Sequence, residues 1–255
     1  MTTTPCPHAY IGTSGWSYAG WRHGFYAGVP QKRWLAHCAT RFTAIEVNAT
    51  FYRTLVPDVV GRWRTDTPAT FAFAAKGHRM VTHRRRLRDV DEPLARTRDG
   101  LAPLGDRLTA VLWQLPPTLG RDDGLLRDFA DRLNTWPGPR HVIEFRDPSW
   151  FNDETLTLLG TRNLGTCISD AAKWPCWDAV SGRIAYVRLH GHERTYESAY
   201  GERGVRPWAA RVVDWLSAGY DVHVYFDNDA EGAAPYDAVE LIAQVGAAGG
   251  TVRAP

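Results

Sequence analysis

Eight strand-like segments alternate with helix-like segments along the sequence, and few folds accommodate such a pattern. The strand-like segments are short runs rich in β-branched and aromatic residues, at 9–14, 43–48, 71–76, 108–115, 141–146, 164–169, 184–190 and 221–227. The helix-like stretches include 30–41, 59–66, 123–133, 153–162, 208–219 and 236–246. Eight strands alternating with helices in 255 residues predict an α/β fold, a single (β/α)8 TIM-type barrel, with its active site at the carboxyl ends of parallel strands.

An open, doubly wound sheet is the competing architecture. It is disfavoured because the G-x-G-x-x-G fingerprint is absent, and because reactive residues recur at the ends of nearly every strand instead of at one switch point. No Ser/Gly-rich linker or block of charge divides the chain, so we expect residues 1–255 to form one domain.

Composition excludes several classes of protein. Lys and Arg number 30 against 28 Asp and Glu, so any nucleic-acid partner needs a local basic patch. The sequence has no apolar run of membrane-spanning length and no leader-like N-terminus, so we expect a cytoplasmic protein with no membrane partner. The cysteines show no C-x-x-C spacing and are expected to be reduced; they are Cys6, Cys38, Cys167 and Cys176.

Polar residues recur at the ends of the predicted strands. Side chains alternate across a strand, so Glu46 shares a face with Asn48, and Glu144 shares a face with Arg146. We expect the functional mouth of the barrel to collect Ser14, Trp16, Glu46, Asn48, Tyr52, Lys76, His83, Gln114, Glu144, Arg146, Asp170, Arg188, His190 and Asn228.

The charges at this mouth have two explanations. Buried charge is costly unless it is paired, so a salt-bridge network that plugs the barrel is one explanation and a functional site is the other. A bound metal is not expected, because the neighbouring cations Arg146 and Arg188 would repel a divalent ion. If a metal were bound, its ligands would be His190, Asp170 and Glu144; no cofactor is predicted.

Two segments carry local positive charge. In residues 76–88, eight of thirteen residues are Lys, Arg or His, and residues 190–208 add Arg194, Arg203 and Arg206. Such runs are often solvated faces, but loops beside barrel strands also bind phosphate. Two basic rims with aromatic neighbours would suit a small anionic ligand or a nucleic-acid-like ligand.

Several motifs carry a family resemblance. They follow one another in order along almost the whole chain, and they are IGTSGWSYAGW (11–21), EVNATFYR (46–53), PATFAFAAKGHRMVTH (68–83), LWQLPP (112–117), EFRDPSW (144–150), YVRLHG (186–191) and YFDNDAEGAAPYDA (225–238). The sequence resembles the YecE-like family, also called domain of unknown function 72. This resemblance implies a (β/α)8 barrel and no established reaction. Asp227 departs from the family pattern, which is closer to F-N-N, and adds negative charge to the mouth.

The leading functional hypothesis is an enzyme that acts on a phosphate-bearing substrate, nucleic acid or nucleotide-like, by acid/base hydrolysis or lyase chemistry. Glu46 or Glu144 would be the general base and His190 the proton donor. The predicted catalytic residues are Glu46, Glu144, Asp170 and His190.

In the same hypothesis Arg146 and Arg188 bind the anion, while Trp16 and Tyr52 stack on a ring. The predicted substrate-binding residues are Ser14, Trp16, Asn48, Tyr52, Lys76, His83, Gln114, Arg146, Arg188 and Asn228. Two alternatives remain open. One is an isomerase, epimerase or hydrolase of a small sugar-like or carboxylated metabolite, and the other is a non-catalytic protein that binds a ligand or nucleic acid.

Overall fold

The computed structural model describes residues 7–252 and contains eight parallel strands. They are β1 (Ala9–Thr13), β2 (Ala44–Val47), β3 (Ala72–Lys76), β4 (Leu108–Gln114), β5 (Arg140–Glu144), β6 (Gly165–Asp170), β7 (Ile184–Leu189) and β8 (Asp221–Phe226). Strands β2 to β8 pair in sequence order, and β8 pairs with β1. The predicted (β/α)8 barrel is confirmed.

Strands β1 and β2 close the barrel. Ser14 and Glu46 form a parallel bridge, and the Gly15 N–H donates to the Glu46 carbonyl over 2.8 Å. A side chain on Gly12 would overlap the carbonyl oxygen of Ala44 in β2. The two strands therefore approach closely enough to pair because position 12 has no Cβ.

Helices connect most of the strands. They are α1 (Trp34–Cys38), α2 (Ala49–Tyr52), α3 (Pro57–Thr65), α4 (Asp91–Leu101), α5 (Asp123–Leu133), α6 (Asp153–Thr161), α7 (Gly201–Ser217) and α8 (Ala234–Ala247). The predicted start of the helix at 208 was wrong, because α7 begins at Gly201 and contains Pro207. Proline lacks the N–H that a helix interior uses, so Pro207 made a later start look more favourable in the sequence.

Two apolar layers hold the strands in place. Outside the barrel, large side chains of the strands pack against the helices, as Trp113 does against Phe129. Inside, the core residues are Tyr10, Ala44, Ala72, Ala74, Ala110, Leu112, Val142, Cys167, Ile184, Tyr186 and Tyr225. Alanines from β2, β3 and β4 leave room for the tyrosines of β1, β7 and β8. This packing fills the interior below the polar residues at the carboxyl ends of the strands.

No helix in residues 7–252 combines the length and the apolar character needed to cross a membrane. Cys38, Cys167 and Cys176 are free thiols, while Cys6 lies outside the described residues.

Candidate active site at the carboxyl ends of the strands

Arg188 of β7 lies at the centre of the barrel mouth and is almost fully buried. Its Nη2 donates to Glu46 Oε1 over 2.9 Å and to Asp227 Oδ2 over 2.8 Å, and its Nη1 donates to Glu144 Oε2 over 3.3 Å. Burial disfavours the charged guanidinium, but the three carboxylates outweigh burial and raise the pKa of Arg188. The guanidinium thus connects four strand ends as a permanent cation.

Glu46 is engaged by several donors at once. Ser14 Oγ and Tyr186 Oη each donate to it over 2.6 Å, in addition to Arg188. Both carboxylate oxygens are therefore occupied in a buried environment. This geometry suits a residue that positions Arg188 better than it suits the predicted general base.

Glu144 connects Arg188 to Arg146. The Arg146 Nε donates to Glu144 Oε1 over 2.6 Å, and the Arg146 guanidinium carbon lies 3.8 Å from the centroid of the Trp174 ring. Burial alone would raise the pKa of Glu144, but Arg146 and Arg188 lower it well below its ordinary range. Glu144 is therefore ionised at neutral pH and is a weak proton acceptor.

His190 lies beside this network. Its Nε2 is 3.3 Å from Arg188 Nη1, and its Nδ1 is 3.0 Å from Asp227 Oδ2 without the alignment of a hydrogen bond. Burial and the Arg188 charge lower the pKa of His190, so the imidazole is neutral at neutral pH. The rings of Trp174 and Tyr196 meet it edge-on, with centroid distances of 4.9 and 5.6 Å.

Lys76 at the end of β3 has no acidic partner. Its Nζ lies 4.6 Å from the Phe51 ring centroid, and within residues 7–252 no carboxylate oxygen lies within 4.0 Å of it. Burial, followed by the Arg188 charge, lowers the pKa of Lys76 to about 8. Its ammonium group is consequently able to titrate close to neutral pH.

His83 also contacts Phe51. The two rings meet edge-on at 5.0 Å, and His83 Nδ1 lies 2.9 Å from the Thr82 hydroxyl. Burial, with the charge of Lys76 as the next cause, lowers the pKa of His83. A neutral imidazole and an unpaired ammonium thus contact the same aromatic ring.

Four further predicted residues lie around this centre. Trp16 is partly buried and packs edge-on against Trp63 at 5.1 Å, which makes it a poor stacking platform. Tyr52 is 64% exposed. Gln114 is half-buried and pairs in register with Glu144, and the buried Oδ1 of Asn48 has no hydrogen-bond partner within the described part of the chain.

Asp170 and Asn228 point to the surrounding loops. Asp170 accepts a hydrogen bond from Tyr200 Oη over 2.5 Å, and Asn228 Nδ2 donates to Ser198 O over 3.0 Å and to Asp237 Oδ2 over 2.8 Å. Each follows a residue that faces the barrel interior, so strand alternation turns it outward. The structure does not bring these two side chains to Arg188.

No group of three or more His, Cys, Asp or Glu side chains within residues 7–252 is arranged to hold a metal. The residues named as metal ligands from the sequence are separated, because Glu144 and His190 lie against Arg188 while Asp170 contacts Tyr200.

The two basic segments differ in their charge pairing. In residues 190–208, Arg194 lies 2.9 Å from Glu197 and 3.4 Å from Glu231, and Arg206 lies 3.0 Å from Glu202. Nearby acids thus offset much of the positive charge of this segment. The exposed arginines of residues 76–88 are Arg79, Arg84, Arg85 and Arg88. Of these, Arg88 lies 3.5 Å from Asp122, and the other three have no carboxylate within 4.0 Å in the described part of the chain.

Trp174 and Tyr196 lie beside the site and were missed in the sequence. Strand alternation aligns Tyr186 with Arg188 and His190 on β7, although Tyr186 was not among the predicted site residues. Trp174 lies in KWPCW (173–177), and a tryptophan-rich loop after a barrel strand is a signal for a binding wall. Tyr196 carried no comparable signal.

Comparisons with known proteins agree with this architecture. UPF0759 protein YecE of Escherichia coli K12 is 33% identical over 154 residues, which are 58% of this chain and about half (53%) of that protein. UPF0759 protein YunF of Bacillus subtilis 168 is 23% identical over 269 residues, covering 91% and 93% of the two chains.

Solved structures of similar fold come from Enterococcus faecalis V583 and Thermotoga maritima MSB8, both described as DUF72 family proteins. The first has 17% identity, a TM-score of 0.80 and coverage of 93% of this chain and 95% of that one. The second has 23% identity, a TM-score of 0.77 and coverage of 94% and 99%. The family model described as "Protein of unknown function DUF72" matches residues 10–255, and the chain therefore belongs to the DUF72 family.

Proposed function

We propose that the protein is an enzyme that acts on a small phosphate-bearing substrate, with a nucleotide-like molecule favoured, by acid/base hydrolysis or lyase chemistry at the barrel mouth. The observation that carries this proposal is the unpaired ammonium group of Lys76. The nearby acids Glu46 and Glu144 are bound to arginines, so the Lys76 charge is available to an incoming anion.

The surroundings of Lys76 favour anion binding. The ammonium group is already largely removed from water, which is why its pKa is lowered to about 8. A phosphate group beside it would supply the missing counter-charge and favour the protonated form. Arg146 adds a second cation near the Lys76 and His83 pair, because its charge also lowers the pKa of His83.

Lys76 and His83 are suited to opposite proton transfers. At pH 7 Lys76 is mainly protonated, since its pKa is about 8, whereas the pKa of His83 is lowered and its imidazole is neutral. In phosphate ester hydrolysis, His83 would take a proton from water as the new P–O bond forms, and Lys76 would protonate the leaving oxygen as the ester P–O bond breaks. These roles replace the predicted base and acid, because Glu46 is saturated with donors and His190 is neutral and buried.

Two aromatic side chains favour a ring-bearing substrate. Trp174 and Tyr196 lie with centroids 6.1 Å apart above His190, and Tyr196 is 42% exposed. Tyr196 has a φ of +71°, a conformation that non-glycine residues rarely adopt, and its backbone bonds to His190 and Ala230 maintain it. Trp174 also contacts Arg146, the second cation of the proposed site, and an aromatic wall beside a cation suits a base or sugar ring attached to phosphate.

The test of anion binding compares Lys76→Met with Lys32→Met, which removes the same charge from an exposed site. Calorimetric titration with inorganic phosphate at pH 7 should show at least about tenfold weaker binding in Lys76→Met and unchanged binding in Lys32→Met. Binding to the native protein should weaken between pH 7 and pH 9 as Lys76 loses its proton. Equal affinity in both variants would contradict the proposal.

The test of catalysis uses a panel of phosphomonoesters, phosphodiesters and nucleotides. On the best substrate, His83→Asn should lower kcat by about 10²-fold or more while inorganic phosphate still binds. Phosphate binding without turnover of any substrate would favour the non-catalytic alternative. Turnover of phosphate-free sugars or organic acids would favour the metabolite enzyme.

A further inference from the structure

A pocket lies between residues 50–55, the basic segment at 76–88 and the first half of α4. Its volume is about 110 Å³. The lining side chains that matter for binding are Thr54, His78, Arg85, Glu92, Arg96 and Thr97. A narrower extension reaches Arg53 and Thr50. We refer to the pocket and its extension as the side groove.

The side groove has an excess of positive charge. Arg96 is ion-paired with Glu92, whereas Arg53 and Arg85 have no carboxylate within 4.0 Å among the residues that the structure describes. His78 Nδ1 accepts a hydrogen bond from the Met80 N–H over 3.1 Å, so its Nε2 carries the proton and can donate. One acid thus faces three arginines and a neutral donor, a set of groups that fits an anion.

The backbone beside Arg85 is held in an unusual conformation. A π-helical turn spans Met80–Arg84, and it is followed by three non-glycine residues with positive φ: Arg86 at 49°, Leu87 at 67° and Asp89 at 50°. Leu87 is buried, and Arg86 donates to the Thr118 carbonyl over 2.8 Å. These two contacts therefore hold the backbone in its strained conformation. Both π-turns and left-handed residues are concentrated at ligand sites in proteins.

Residues 50 and 51 connect the side groove to the mouth. Thr50, at its narrow end, donates through Oγ1 to the Lys76 carbonyl over 2.6 Å. The next residue, Phe51, contacts both Lys76 and His83. The narrow end of the side groove therefore packs against the backbone of Lys76, the residue whose ammonium group is the proposed phosphate site.

From the unpaired arginines, the pocket that they line and the anchored strained segment, we infer that the side groove binds a second phosphate group of the substrate. This inference rests on the proposed function for the first phosphate, at Lys76. It narrows the substrate class to molecules with at least two phosphate groups.

Arg84 and Arg85 provide a matched pair of variants. Both are exposed arginines of the same segment, but only Arg85 lines the side groove. Linear polyphosphates of increasing length should bind the native protein more tightly once the chain reaches both sites. Arg85→Ala should remove this gain, at least about tenfold, while Arg84→Ala should retain it.

Three results would overturn the inference: equal losses in Arg84→Ala and Arg85→Ala, no loss in Arg85→Ala, or no gain with chain length in the native protein. The first would indicate a diffuse basic surface. Inorganic phosphate separates this result from failure of the proposed function, because Lys76→Met should weaken its binding at the mouth while Arg85→Ala leaves that site intact. Thermal melting of each variant checks that it is folded.

Discussion

At the level of single residues, His141 illustrates how burial fixes a protonation state. The Trp113 indole N–H donates to His141 Nδ1 over 3.2 Å, and His141 Nε2 donates to the Trp136 carbonyl over 3.0 Å. A proton on Nδ1 would face the indole N–H, so only the neutral imidazole satisfies both partners. Burial lowers the pKa of His141 to about 4.

This lowered pKa predicts a loss of stability in acid. Below pH 6.5 the unfolded chain binds a proton at His141 that the folded chain does not bind until about pH 4. The contribution is therefore intact above pH 6.5 and falls by about 1.4 kcal/mol per pH unit down to pH 4. Urea unfolding across this range should give a steeper pH dependence for the native protein than for His141→Gln. Equal slopes would show that the folded protein protonates His141 readily.

Strand alternation predicted which residues converge, but not how they pair. Glu46, Glu144 and Arg188 meet as expected because their parity on the strands turns them toward the barrel axis. The sequence could not predict that Lys76 has no acidic partner, since this depends on which carboxylates the arginines bind in the folded protein. Asp170 was placed at the mouth because it follows the predicted strand at 164–169, without regard to its outward parity.

At the level of secondary structure, the strands were predicted to within two residues and the helices less well. The strands are easy to recognise because buried parallel strands appear in the sequence as short runs of β-branched and aromatic residues. Helix α4, which contains Pro93 and many charges, was missed, and α7 begins seven residues earlier than expected. Pro93 lies in the first turn of α4, where proline is tolerated, whereas Pro207 lies inside α7; each obscures its helix in the sequence.

Because β1 and β2 approach closely where they close the barrel, adding a single methyl group at position 12 should destabilise the protein. In Gly12→Ala the new Cβ meets the Ala44 carbonyl, and paired strands leave the backbone little room to move. We expect a loss of about 3 kcal/mol in the free energy of urea unfolding. Gly160→Ala in α6 is the matched control, because nothing lies within 4 Å of its Cβ. That change should stabilise the protein by roughly 0.5–1 kcal/mol. Similar effects at both glycines would contradict this view of barrel closure.

At the level of the whole molecule, the structural and functional explanations of the mouth apply to different residues. Arg188 connects β7 to Glu46 on β2, Glu144 on β5 and Asp227 after β8, and so holds the strand ends together. Lys76 is left outside this network. An ion-paired network next to a lysine without an acidic partner is how a barrel can both fill its interior and keep a group available for a ligand.

Removal of Arg188 should therefore affect the entire fold. Arg188→Met leaves the buried carboxylates without their common counter-charge, and we expect a loss of about 3–5 kcal/mol in the free energy of urea unfolding. Arg206→Met, which breaks an exposed pair with Glu202, should cost less than about 1 kcal/mol. Adding Glu46→Gln to Arg188→Met should recover part of the loss, because it removes one uncompensated charge while Ser14 and Tyr186 can still donate to the amide oxygen. If Arg188→Met were as stable as Arg206→Met, the mouth carboxylates would have to be solvated, and the network could not be what fixes the strand ends around Lys76.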